Sequence, residues 1–146
     1  MRDVLQYFDL IARMIELSPA VSAEVELDQR DHKRGAVDGT LYFADGSRLE
    51  FTERIVIERA HPVKRDYRYQ YVRHEAAVFR YDNAPHHPLL PGFPHHKHIG
   101  RRTVPAAEPS LKEVLQEVSA LLSDEPAQTS ATPRKSRSKR RVKRDK

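Results

Sequence analysis

The sequence predicts an α+β domain: an antiparallel sheet of about five strands, covered on one face by an N-terminal and a C-terminal helix. Three observations carry this expectation. Residues 2–17 repeat apolar side chains at helical spacing, and residues 20–82 repeat them largely at every second position with short polar links. Residues 110–123 then return to helical spacing. Strands that follow one another through short links pair antiparallel, because parallel neighbours need a long crossover.

In the first segment Val4, Leu5, Phe8, Leu10, Ile11, Met14, Ile15 and Leu17 make one broad apolar face, and Ser18-Pro19 stops the helix. Val21, Ala23, Val25 and Leu27 then alternate with Ser22, Glu24, Glu26 and Asp28, the pattern of a half-buried strand. Residues 39–44 read as a second strand, Asp45-Gly46 as a hairpin turn, and 48–58 as a third strand with Leu49, Phe51, Ile55 and Ile57 inward. His61-Pro62 reads as a break.

Two further strands follow, 66–72 and 77–82. A two-residue loop at His74-Glu75 would set Tyr69 opposite Arg80 and Tyr67 opposite Asp82. A three-residue loop, 74–76, pairs Tyr71 with Phe79, Tyr69 with Tyr81 and Arg68 with Asp82. The second register is preferred, since it segregates aromatics from charges and forms a cross-strand ion pair. It puts Tyr67, Tyr69, Tyr71, Phe79 and Tyr81 on one face, and Arg68, Gln70, Arg80 and Asp82 on the other. In the C-terminal helix Ser110 and Glu113 form a capping box ahead of Leu111, Val114, Leu115, Val118, Leu121 and Leu122.

Charge divides the chain into a domain at 1–123 and a basic tail at 124–146. The tail holds nine of the 26 Lys/Arg residues and three of the 21 Asp/Glu, so the whole-chain +5 is a property of the tail and the body carries −1. Arg134, Lys135, Arg137, Lys139, Arg140, Arg141, Lys143 and Arg144 make it a phosphate-attracting arm, expected to be disordered. No cysteine is present, so disulfides and thiolate metal sites are excluded. No apolar run approaches membrane-spanning length and no signal peptide is evident, so the expectation is a soluble, cytoplasmic protein.

The last predicted strand, ending at Asp82, runs into the stretch 79–100 ahead of the C-terminal helix. It holds five of the eight histidines (His86, His87, His95, His96 and His98) and four of the ten prolines. Proline fixes φ and removes a donor, so this stretch is expected to be a braced loop that presents imidazoles. Its runs FRYDNAPHH and FPHHKHIG, together with YRYQY before them and EPSLKEVLQEV after, resemble the TumE-like toxins of bacterial type II toxin–antitoxin modules. The resemblance covers 2–123 and is most specific over 66–117. It implies a small bacterial toxin inhibited by a cognate antitoxin, usually a helix-turn-helix protein encoded in the adjacent gene.

Three chemistries fit these residues. The first is metal-independent cleavage of RNA, with His96 and His98 as acid and base, His87 as a third candidate, and Arg68, Arg80 and Lys97 on the phosphate. Tyr67, Tyr69 and Tyr81 would stack bases only if the aromatic face is open; such a stripe more often forms core. The second is a divalent metal held by His86, His87, His95, His96, His98 and Asp82, although no pair of these histidines has the i,i+4 spacing of a helical site. The third is a non-catalytic module that binds antitoxin, ribosome or nucleic acid. Against all three stands a structural role, with imidazoles satisfying backbone carbonyls and Asp82-Asn83 shaping a turn.

Overall fold

The structure, a computed structural model, describes residues 1–123 together with the backbone of Lys139–Arg144. The chain begins with helix α1 (Val4–Glu16), whose first turn is capped by the Asp3 carboxylate accepting from the Gln6 N–H at 3.0 Å. Strands β1 (Ser22–Gln29), β2 (Arg34–Tyr42), β3 (Arg48–Glu58), β4 (His61–Arg73) and β5 (Ala76–Asp82) follow as a meander. Two short strands, β6 (His96–Ile99) and β7 (Arg102–Pro105), extend it, and helix α2 (Leu111–Leu121) comes next. The seven strands pair antiparallel in chain order, and β8 (Lys139–Arg144) joins in parallel beside β1.

The fold class is as expected, with more strands than the five predicted. One of the additional strands comes from the histidine stretch: its end, His96–Ile99, is not loop but β6, a strand with β5 on one side and β7 on the other. All four prolines of the stretch precede β6, so none removes a hydrogen bond from its ladder. At the opposite edge, the segment Lys139–Arg144, expected as part of an unordered arm, runs as a strand, while 124–138 and 145–146 lie outside the described residues.

The hairpin of β4 and β5 has the predicted register, Tyr71 opposite Phe79 and Arg68 opposite Asp82, by an unpredicted route. Its turn contains only His74 and Glu75, both left-handed at φ 51° and 57°, and a bulge beyond Tyr71 supplies the extra residue. The expected break at His61-Pro62 is a second such turn. Arg59 and Ala60 take φ 51° and 65°, so β4 starts at His61 and is longer than predicted.

Alternation puts one face of the sheet against both helices. Leu41, Leu49, Phe51, Tyr69, Tyr71 and Phe79 are buried there with Val4, Phe8 and Ile11 of α1 and Leu111, Val114 and Val118 of α2. Leu10 and Leu17, expected on the packed face of α1, are exposed. Phe51 crosses Gly39 so closely that a Cβ there would lie 2.6 Å from its ring, which is why this position of β2 has no side chain. One charge is buried in this layer: the two carboxylate oxygens of Glu53 accept from the Tyr7 and Tyr69 hydroxyls, and Lys64 donates to Tyr69 Oη at 2.7 Å. Burial, reinforced by Glu53, pushes both phenols above their ordinary pKa, so they stay protonated as donors. Capping of α2 is as predicted, with Ser110 Oγ accepting from the Glu113 N–H at 3.1 Å.

Candidate functional site

The face of the sheet turned away from the helices carries the site. On β4 and β5 it presents Arg68, Gln70, Arg80 and Asp82, and the pairing of β5 with β6 sets His98 beside Arg80 and His96 beside Asp82. Residues 83–95 leave β5 and return to β6. Asn83 pins the departure: its Oδ1 accepts from the Tyr67 N–H at 3.0 Å and its Nδ2 donates to the Arg65 carbonyl at 3.1 Å. Asp82 Oδ1 also accepts from the Ala84 N–H at 3.1 Å. This loop brings His87 edge-on to both strand histidines. Ring centroids are 5.2 Å apart for His87 and His96, 6.0 Å for His87 and His98, and 4.8 Å for His96 and His98.

Hydrogen bonds fix how each group is held. Asp82, 6% exposed, faces His96 Nε2 at 2.8 Å through Oδ1 and accepts from Arg80 Nε at 2.9 Å through Oδ2. His96, 1% exposed, has its other nitrogen, Nδ1, 2.9 Å from the Pro94 carbonyl. A second Arg80 nitrogen donates to His98 Nε2 at 3.0 Å, which requires a lone pair there. The His98 proton therefore sits on Nδ1 and points to Thr103 Oγ1, 3.3 Å away. Burial first and then the Arg80 guanidinium hold His98 below the ordinary imidazole pKa, against the opposing pull of Asp82. His87 has ring contacts but no hydrogen bond from its imidazole among the described residues. The nearest donor nitrogens of His87, His96 and His98 lie within 4.8 Å of one another.

Beside this cluster opens a cleft of about 740 Å³, lined by Arg65, Asp66, Arg68, Arg80, Asp82 and His86 among others. The structure thus gathers His87, His96, His98, Arg80 and Asp82, with Arg68 and His86 on the cleft wall.

Two other singled-out residues are not gathered. Lys97 points to the helix side, where Nζ meets the Glu117 carboxylate at 2.8 and 3.0 Å. His95 stacks on Tyr67 and its Nδ1 lies 2.9 Å from the tyrosine hydroxyl. Strand geometry explains Lys97, since odd and even positions of one strand face opposite ways, and His95 is the last loop residue before β6. The expected Arg68–Asp82 ion pair does not form, because Arg68 donates to Gln70 at 2.6 Å and Asp82 is taken by Arg80 and His96. The aromatic face lies beneath the helices, with Tyr67 and Tyr69 3% and 0% exposed, so it is core and not a base-stacking platform. Thr103 was missed by sequence reading; its signal was the Gly100 turn, which folds β7 back so that Thr103 pairs with His98. Of the tail cations, Arg134, Lys135 and Arg137 lie outside the described residues, and for Lys139, Arg140, Arg141, Lys143 and Arg144 only the backbone is described.

Fold and site together define a small two-layer α+β protein with a histidine cluster set into the open face of its sheet. Over residues 9–122 the chain matches the family described as Toxin TumE, and it belongs to that family. It is accordingly the toxin side of a toxin–antitoxin system, and membership implies an antitoxin partner. Comparison with curated proteins and with solved structures gives no match. No helix among the described residues is long and apolar enough to cross a membrane.

Proposed function

We propose that this toxin acts by cleaving RNA, at the point where the cleft meets the imidazole cluster. One observation carries the reading: three imidazoles and two arginines, drawn from β4, β5, β6 and the loop between, converge on the face of the sheet opposite the one packed on α1 and α2. Arginine matches the fork of phosphate oxygens, and Arg68 and Arg80 both line the cleft. Imidazole serves phosphodiester cleavage either by moving protons or by holding a metal ion, and both routes put the reaction at the same atoms. His98 and His87 are only partly buried and face the reacting oxygens in this reading; His96 and Asp82 are buried and position them.

The test is inducible expression with and without the antitoxin, scored for growth arrest and RNA integrity, followed by incubation of the purified chain with RNA. The double variant His87→Asn/His98→Asn is expected to lose at least about 100-fold in cleavage, in the range typical of removing a positioned proton-transfer group, with an unchanged circular dichroism spectrum. Growth arrest with RNA left intact, or a double variant as active as the parent, overturns the reading.

A further inference from the structure

We propose that His87, His96, His98 and Asp82 form a binding site for one divalent transition ion of the zinc class. The argument lies in how the strand imidazoles are tied. His96 Nδ1 is bound to the Pro94 carbonyl at 2.9 Å and His98 Nδ1 to Thr103 Oγ1 at 3.3 Å. In each ring the opposite nitrogen is Nε2, and both Nε2 atoms turn toward the same carboxylate, 2.8 and 3.5 Å from Asp82 oxygens. Metal-bearing imidazoles are held in this manner: one N–H anchored on a carbonyl or hydroxyl, the opposite nitrogen aimed at the ion beside a carboxylate. Two rings on one strand, two residues apart, both obey it.

His87 completes the set. It reaches the other two rings from the loop, and its nitrogens have no hydrogen-bond partner among the described residues. A half-buried imidazole with no partner, set against two anchored ones, is a donor waiting for an acceptor of electron pairs. The three nitrogens lie within 4.8 Å of one another, whereas ligands about 2.0–2.1 Å from a tetrahedral zinc sit roughly 3.3 Å apart. Closure of at most about 1.5 Å between any two of them brings the set to bonding distance. Three imidazoles, one carboxylate and no thiolate favour zinc, cobalt or nickel over magnesium or calcium, which take oxygen ligands.

Arg80 is the competitor. Its guanidinium donates to His98 Nε2 at 3.0 Å and to Asp82 at 2.9 Å, so an entering ion must take His98 from it. Arg80 then keeps only the outer Asp82 oxygen and faces the cleft as a phosphate group arrives. The ion would polarise a phosphoryl oxygen, and in that use the inference rests on the RNA-cleaving reading; whether the ion binds does not.

The test uses the full chain, treated with chelator and titrated with Co²⁺, whose visible bands report tetrahedral coordination. One ion per chain is expected, displaced by zinc, with a higher melting temperature on zinc addition. His98→Ala and His87→Ala are expected to weaken binding at least tenfold, and Arg80→Met to tighten it several-fold. The two histidine variants carry the test, because replacing the buried His96 endangers folding. Absence of Co²⁺ bands, binding unchanged in both histidine variants, or an Arg80→Met variant that binds more weakly overturns the site. RNA cleavage that persists in EDTA without Co²⁺ binding overturns the metal and leaves the nuclease. Co²⁺ binding without cleavage upholds the metal and overturns the nuclease.

Discussion

Asp45 shows how much a single buried carboxylate holds together here. Its Oδ1 accepts from the Ser47 N–H at 3.0 Å and the Ser47 hydroxyl at 2.5 Å, and its Oδ2 from Arg73 and the Ser123 N–H, each at 3.0 Å. One side chain thereby joins the β2–β3 turn, the end of β4 and the exit of α2. Burial alone would raise its carboxyl pKa; the Ser123, Ser47 and Arg73 donors outweigh it and hold the group below the usual value. With the folded pKa below the unfolded one, the stabilisation is present above about pH 4 and is lost as pH falls through the folded value. Asp45→Asn is expected to cost about 1–3 kcal/mol at neutral pH, and the gap from the parent should narrow below about pH 4. Urea unfolding across that range measures it; a gap constant with pH would show that charge is not what the donors recognise. Asp45 was legible only as a turn residue. Its partners are 28 and 78 positions away in the chain, and no local pattern carries that.

At the scale of elements, legibility depended on whether a local rule agreed with the tertiary one. The β4–β5 register could be read because aromatic pairing and charge segregation both selected it, whatever the turn. The β3–β4 hairpin could not, because Arg59 and Ala60 adopt left-handed conformations without glycine or asparagine, and Pro62 imitates a break. No residue of β5 pairs with β4 before Arg68, so Pro62 lies on an edge segment where a missing N–H is tolerated. Four-residue β6 is too short to show a period, which is why His95 and Lys97 were grouped with His96 and His98. Lys97→Ala tests the separation of the faces. It should leave RNA cleavage and Co²⁺ binding within about twofold of the parent and lower stability by about 1 kcal/mol, through loss of the half-covered Glu117 pair. Cleavage assays beside urea melts decide it, and a selective loss of cleavage would return Lys97 to the site.

The whole molecule divides its labour between two faces of one sheet and two ends of one chain. The helix-covered face holds the apolar core, which leaves the other face free to gather imidazoles and arginines. The body supplies no excess positive charge to attract RNA, since residues 1–123 carry a net −1 and the cations beyond that balance lie in the tail. Register sets the backbone of Lys139, Arg141 and Lys143 of β8 opposite Glu24, Glu26 and Asp28 of β1. Two variants test the tail's charge: deletion of 124–146, and replacement of its lysines and arginines by glutamine with the length kept. Both should reduce affinity for single-stranded RNA and flatten its dependence on salt, since each phosphate neutralised contributes about 0.7 to the slope of log K against log salt. Removing nine cations should lower that slope by several units, while cleavage at saturating RNA stays within a fewfold of the parent. Fluorescence anisotropy over a salt series reads the slope directly. An unchanged slope in both variants would mean that Arg68 and Arg80, and not the tail, provide the electrostatic capture.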